Sequence, residues 1–193
     1  MLECGHMNTA TWVVLVSWSA FLLVWVLYAP SSKPYVRINN VWGWGLRILV
    51  VVAIMLLLQL PGSRAWFGGL AALFSSPLVA PLGAALTVLG ILLAVWARAA
   101  IGRNWGMPMT MKEEPELVTT GPYAAIRHPI YAGVLLAMLG STLVVAYWVV
   151  AFAAFALYFL YSAHKEEKLM KEKFPEAYPA YQKRTKMLIP FIF

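Results

Sequence analysis

Long apolar runs alternate with short polar connectors along this chain. Residues 10–29 form an apolar block rich in Val, Leu and Trp, ended by Pro30-Ser31-Ser32-Lys33-Pro34. At 1.5 Å per residue, about 20 residues cross the ~30 Å hydrocarbon core of a bilayer, so this block predicts a membrane helix. A second block at 46–60 closes at Pro61-Gly62, and a third covers 78–97. The connector 63–77 carries one charge, Arg64. Within the third block Gly83 and Thr87, then Gly90 and Ala94, recur at i, i+4, a spacing that lets another helix come close. Residues 98–129 are the longest polar stretch inside the chain, longer than a simple turn needs. Residues 130–161 are apolar again, too long for one span and interrupted by Gly140-Ser141-Thr142. They predict a helical hairpin, 130–140 and 143–161, with a tight turn between. Its first half is short for a full crossing, so the hairpin is read as tilted or shallow. From His164 a charged segment starts as a helix, meets Pro175 and Pro179, and ends apolar.

Composition agrees with this pattern. Of 193 residues, 62% are hydrophobic and 12% charged, where a soluble domain carries about 25% charge. The chain is read as one membrane domain over 1–193, with its chemistry in 98–193. Its net charge of +7 is not a nucleic-acid signature, because the basic residues flank apolar blocks. With five helices, fourteen of the fifteen Lys and Arg fall on one side: Lys33, Arg37 and Arg47; Arg98, Arg103, Lys112 and Arg127; and seven in the C-terminal segment. Only Arg64 falls opposite. Cytosolic loops carry the excess of Lys and Arg, so the long loop and the C-terminal segment are placed in the cytosol and the N-terminus outside. The membrane is the plasma membrane in a prokaryote or the endoplasmic reticulum in a eukaryote. No Lys or Arg precedes the first block, and its length exceeds the roughly 7–15 residues of a secretory signal, so it reads as a retained helix. Trp42 and Trp44 suit an interfacial level.

The candidate chemistry collects in Gly121-Pro122-Tyr123-Ala124-Ala125-Ile126-Arg127-His128-Pro129-Ile130-Tyr131-Ala132-Gly133. Arg, His, two Tyr, two Pro and two Gly in thirteen positions exceed what a connector requires. Seven of the eight acids, all Glu, lie in two clusters, Glu113–Glu116 and Glu166–Glu176. A hairpin brings its ends together, so Arg127-His128 and Glu166-Glu167 are expected to be neighbours, with the glutamates just past the second helix. Cys4 is alone, and His6, His128 and His164 share no helical i, i+4 spacing, so neither a disulfide framework nor a metal site is expected.

Three stretches together are similar to the isoprenylcysteine carboxyl methyltransferase family. They are Leu117-Val118-Thr119-Thr120-Gly121-Pro122-Tyr123, then Arg127-His128-Pro129-Ile130-Tyr131-Ala132-Gly133, and Glu166-Glu167 after an apolar hairpin. Phe174, Tyr178, Tyr181, Lys183-Arg184 and Leu188-Ile189-Pro190-Phe191 resemble that family's C-terminal end. The likeness covers roughly the chain from Arg98 onward; the first two spans carry no motif. Its compactness resembles prokaryotic members. The resemblance implies an integral-membrane enzyme that uses S-adenosylmethionine, with Leu117, Val118, Tyr123, His128, Pro129, Ile130, Tyr131 and Glu166 about the cofactor; the adjacent Glu167 is a further cofactor-site candidate. A carboxylate and aromatic faces suit the cofactor's cations, and an Arg suits its carboxylate; Arg127 is the candidate catalytic residue. A carboxylate acceptor is already deprotonated, so direct in-line methyl transfer needs no general base.

The family pattern implies a basic residue about one turn before the glutamates, where this chain has Ser162. The acceptor's carboxylate contact then falls to His164, Arg98 or Arg103, or the acceptor is no prenylcysteine. The implied partners are the bilayer and a lipophilic or lipidated substrate entering from it, with no nucleic acid and no metal. Rival readings are a phospholipid amine N-methyltransferase, a sterol-reductase-like enzyme, and a non-enzymatic membrane scaffold or small transporter. A transporter would favour charges within the spans, and their interiors contain none.

Overall fold

The computed structural model describes residues 8–31, 35–37, 62–74, 76–106, 111–112 and 116–190. The span expected at 46–60, Trp42, Trp44, Cys4 and His6 lie outside the described residues. Six α-helices are described: α1 (Thr9–Tyr28), α2 (Ser63–Leu73), α3 (Val79–Ile101), α4 (Pro129–Val144), α5 (Trp148–Lys173) and α6 (Ala177–Arg184). A short antiparallel pair joins β1 (Tyr35–Arg37) to β2 (Met111–Lys112). It ties the first connector to the long loop, so both lie at one end of the helices.

Three of the described helices are long and apolar enough to cross a membrane: α1, α3 with its extension to Asn104, and α5. The Asn8 side chain caps α1, accepting from the Thr11 N–H at 2.8 Å. Val16, Leu22, Leu23, Val26 and Leu27 of α1 are exposed, as side chains that face lipid would be. With 16 residues, α4 is about 24 Å long, less than the ~30 Å of a hydrocarbon core. The apolar core joins Ala94, Val134, Met138 and Phe159, with Trp18, Phe21 and Trp25 of α1 packed against it.

The small residues of α3 meet those of α4. A Cβ on Gly90 would collide with the backbone N of Ala137 and lie 2.5 Å from the carbonyl of Gly133. Only a glycine lets the two backbones approach this far. The i, i+4 spacing of Gly83, Thr87, Gly90 and Ala94 is therefore the α3–α4 interface. A polar node sits within it. The indole N–H of Trp18 donates to Ser141 Oγ at 3.0 Å, and the Thr87 hydroxyl lies 3.4 Å from that oxygen.

Three expectations are corrected. The hairpin turns at Val145–Tyr147, not at Gly140-Ser141-Thr142, which stays helical. Gly140 lies 2.5 Å, measured from an added Cβ, from the carbonyl of Gly83 and the N of Thr87. Ser141 and Thr142 return their hydroxyls to the carbonyls of Ala137 and Met138. Residues that interrupt helices in water are packing residues here. Secondly, the connector 63–77 contains α2, whose buried Phe67 packs on Tyr147 with ring centroids 4.3 Å apart. Thirdly, α5 runs unbroken to Lys173. Glu166 and Glu167 are thus inside a helix, not just past its end.

Candidate functional site

At the end of the bundle where β1 and β2 pair, the loop 116–128 folds into a 3-10 turn over Gly121–Ala124 with Pro122 in its first turn. Pro129 then opens α4 at a position where a missing N–H costs no hydrogen bond. Tyr123 and Ile126 are buried. This fixes Arg127 and His128 at the mouth of the hairpin. Opposite them, α5 buries one face: Phe159, Ser162, Ala163 and Glu167 recur at helical spacing, with Glu166 beside them.

The two ends of the hairpin meet. Arg127 Nε donates to Glu167 Oε1 at 2.6 Å, with side-chain exposures of 11% and 9%. The Tyr131 hydroxyl donates to Glu166 Oε1 at 2.5 Å. His128 lies between the acids, Nδ1 3.5 Å from Glu166 Oε2 and Nε2 3.6 Å from Glu167 Oε1. These are ion-pair distances, longer than hydrogen bonds, and Nε2 is buried without a hydrogen-bond partner. The rings of His128, Tyr131 and Phe159 form a column, with centroids 5.4 and 4.4 Å apart and planes within 4° and 7°. Burial disfavours the imidazolium of His128, but the two carboxylates outweigh it and raise its pKa above the ordinary histidine value.

The C-terminal segment closes the cluster. Gln182 Nε2 donates to Glu167 Oε2 at 2.5 Å, and the carbonyl of Thr185 accepts from Arg127 Nη1 at 2.6 Å. Ile126 and Lys186 form a parallel bridge. It is built by Arg127 N–H on Lys186 O at 2.8 Å and Lys186 N–H on Ala125 O at 3.2 Å, and His128 N–H adds a bond to Met187 O at 3.1 Å. Tyr181 donates to the carbonyl of Tyr123 at 2.6 Å. Burial pushes its phenol up to about 12, which keeps it a donor at neutral pH.

The sequence candidates divide. Arg127, His128, Tyr131, Glu166 and Glu167 come together, with Pro129 buried and Ile130 half-buried on the first turn of α4. Leu117 and Val118 line an open cleft of about 490 Å³ beside Ala100, Ile101, Arg103 and Asn104 at the end of α3. Arg98 is 1% exposed. Its guanidinium donates to the carbonyls of Tyr28 and Gly102 and lies over the Tyr28 and Trp105 rings, binding the end of α1 to the end of α3. His164 is exposed, its Nδ1 2.7 Å from the carbonyl of Leu160 on its own helix. Gln182, Thr185 and Phe159 were not anticipated. The spacing of Phe159 to Ser162, Ala163 and Glu166 marks it; no local pattern marks the other two.

Residues 78–177 match the phospholipid methyltransferase family. The chain belongs to that family. The matched stretch contains α3, the loop, the hairpin and both glutamates of this phospholipid methyltransferase family member. It is 34% identical over 145 residues to the cobalt-zinc-cadmium resistance protein CzcN of Cupriavidus metallidurans, covering 73% of this chain and 61% of that protein. It is 25% identical over 179 residues to the methanethiol S-methyltransferase of a Pseudomonas strain, covering 92% and 58%. It is 27% identical over 119 residues to protein-S-isoprenylcysteine O-methyltransferase B of Arabidopsis thaliana, covering 59% and 60%. The matches take in about three-fifths of the length of these relatives.

Proposed function

We propose that the chain is an S-adenosylmethionine-dependent membrane methyltransferase whose acceptor is lipophilic and reaches the site from the bilayer, an isoprenylcysteine-like carboxylate being the acceptor class. The observation that carries this reading is the meeting of Arg127, His128 and Tyr131 with Glu166 and Glu167 at the hairpin mouth. The residues fit the cofactor. Glu166 offers a carboxylate to its ammonium, and the His128–Tyr131–Phe159 column ends beside that carboxylate. The unpartnered Nε2 of His128 offers a further polar contact, and Leu117 and Val118 offer apolar wall to an adenine.

When bound, the cofactor supplies a methyl group made electrophilic by its sulfonium. Glu166 and Tyr131 hold and orient. Arg127 keeps the loop against α5 through Glu167, and the buried face of α5 excludes water from the acceptor's charge. A carboxylate acceptor needs no base. The lipid-facing side chains of α1 and the Lys and Arg distribution support a multi-pass protein with this end in the cytosol and the N-terminus outside. Isothermal titration with S-adenosylhomocysteine in detergent tests the reading. Binding accompanied by a rise in Tm is expected; no heat and no stabilisation overturns it.

A thiol acceptor is the second reading, favoured by the 92% coverage of this chain in the match to the methanethiol enzyme and by the engagement of Arg98 elsewhere. The pH profile separates the two. A carboxylate acceptor gives a rate flat above about pH 6, whereas a thiol, which ionises only in the alkaline range, gives a rate that keeps climbing as pH rises above neutral.

A further inference from the structure

We infer that Gln182 and Thr185 are positioning residues for the site, and that Glu167 is the anchor they hold rather than an acid that binds ligand. The two glutamates are adjacent in sequence but differ in surroundings. Both oxygens of Glu167 are taken inside the protein, Oε1 by Arg127 at 2.6 Å and Oε2 by Gln182 at 2.5 Å. Its side chain is 9% exposed, whereas that of Glu166 is 24% exposed. Gln182 supplies the donor that holds the second oxygen of this buried carboxylate.

From α6 the restraint passes in two directions. Through Glu167 it reaches α5. Through the Thr185 carbonyl it reaches the Arg127 guanidinium at 2.6 Å, and Thr185 is itself held by its hydroxyl on the Tyr181 carbonyl at 2.8 Å. The Arg127 side chain is thereby gripped between Glu167 on α5 and the Thr185 carbonyl of the C-terminal segment, and His128 is the next residue. Removing the Gln182 donor frees one oxygen of a buried carboxylate, which then competes for His128 and loosens the ladder from Ala125 to Met187. The cost appears at Glu166, where His128 and Tyr131 lose their shared orientation.

This inference rests on reading the cluster as a cofactor site, and its test separates the two. Gln182→Met keeps the length and removes the donor; Gln182→Lys restores a donor in a different shape. The full chain in detergent is compared with both variants in two measurements. One is the affinity for S-adenosylhomocysteine. The other, without ligand, is amide exchange at Arg127 and His128, whose N–H groups bond to Lys186 and Met187. Gln182→Met is expected to weaken binding at least fivefold and to speed exchange at least threefold, and Gln182→Lys to stay within twofold of the natural chain in both. Gln182→Leu, which also lacks the donor, stands in if Gln182→Met does not fold, with the same expected losses. A donor-less variant within twofold of the natural chain overturns the inference, as does equal damage by the lysine, which would mean packing alone. If the natural chain binds no S-adenosylhomocysteine, the cofactor reading fails and the exchange measurement alone decides the positioning role.

Discussion

The same helix, α4, is held in two opposite ways along its length. Along its body, from Gly133 to Gly140, it lies on α3 through missing side chains: Gly90 against Gly133 and Ala137, Gly83 against Gly140. At its N-terminal mouth it is held by long, charged side chains reaching across from α5 and the C-terminal segment, through Arg127, Tyr131, Glu166 and Glu167. In a membrane, lipid is as apolar as the protein, so helices associate by close packing rather than by expulsion of water. At the mouth, water is near and ions are available, so precise placement of charge becomes the means of cohesion. The first region fixes where the hairpin stands; the second fixes what it presents.

The largest effect is expected at the mouth. Arg127→Ala leaves Glu167 buried with Gln182 as its remaining side-chain hydrogen bond, and removal of one partner of a buried pair costs about 3–5 kcal/mol. Unfolding in mild detergent should register that loss, and S-adenosylhomocysteine binding should fall below detection. Arg127→Lys should recover part of the stability but not the two-sided geometry, because its ammonium lacks the planar fork. An Arg127→Ala protein with unchanged Tm would show that the mouth contributes no cohesion and would erase the contrast. Next comes Gly90→Ala. Its added methyl meets backbone, which cannot swing aside as a side chain can, so a loss of about 1–3 kcal/mol is expected. Leu92→Ala, on the exposed face of the same helix, should change stability by about 0.5 kcal/mol or less. Equal effects at the two positions would mean that α3 and α4 do not depend on the glycines.

These two regions were not equally legible in the sequence. The α3 face was, since Gly83, Thr87, Gly90 and Ala94 declare it by spacing alone. The meeting of Arg127-His128 with Glu166-Glu167 followed from topology, because any hairpin returns to its starting side. What failed was the use of breaker residues. Gly140-Ser141-Thr142 reads as a turn when helix propensity is judged in water, but the propensity cost is outweighed where a glycine gains a backbone contact and hydroxyls bond to their own helix. The α6 partners were invisible for another reason. A two-residue parallel ladder between Ile126 and Lys186 needs no periodicity, and Gln182 and Thr185 differ in no local way from other polar residues of a charged segment. Arg98 looked like a substrate cation because its charge was legible and its aromatic, carbonyl-lined surroundings were not.

A smaller effect tests the electrostatic character of the mouth. His128 has a raised folded-state pKa through its two carboxylates, with Arg127 and Tyr131 also lining it. A raised pKa means that the folded protein binds the proton more tightly than the unfolded chain. The stabilisation is complete below the unfolded value of about 6.5 and is lost as pH climbs through the folded value. Tm should therefore decline above neutral pH, and His128→Gln should flatten that decline. A His128→Gln protein that keeps the full decline would place the titrating group elsewhere.

The smallest effect is expected at the polar node inside the membrane, and its smallness is what makes it informative. Trp18 donates to Ser141, whose own hydroxyl donates to the Ala137 carbonyl at 2.8 Å. Hydrogen bonds between helices in a membrane average about 0.6 kcal/mol, because a helix already inserted but not yet packed finds other partners for the same groups. Ser141→Ala removes the acceptor of Trp18 and should cost about that much, and Trp18→Phe about as much again, with little additional loss in the double variant. The mouth has less of this cushion: a Glu167 released from Arg127 keeps only Gln182 and the longer contact to His128 at 3.6 Å. If Ser141→Ala proves as damaging as Arg127→Ala, hydrogen bonds rather than backbone proximity hold the interior, and the contrast between the body of α4 and its mouth reverses.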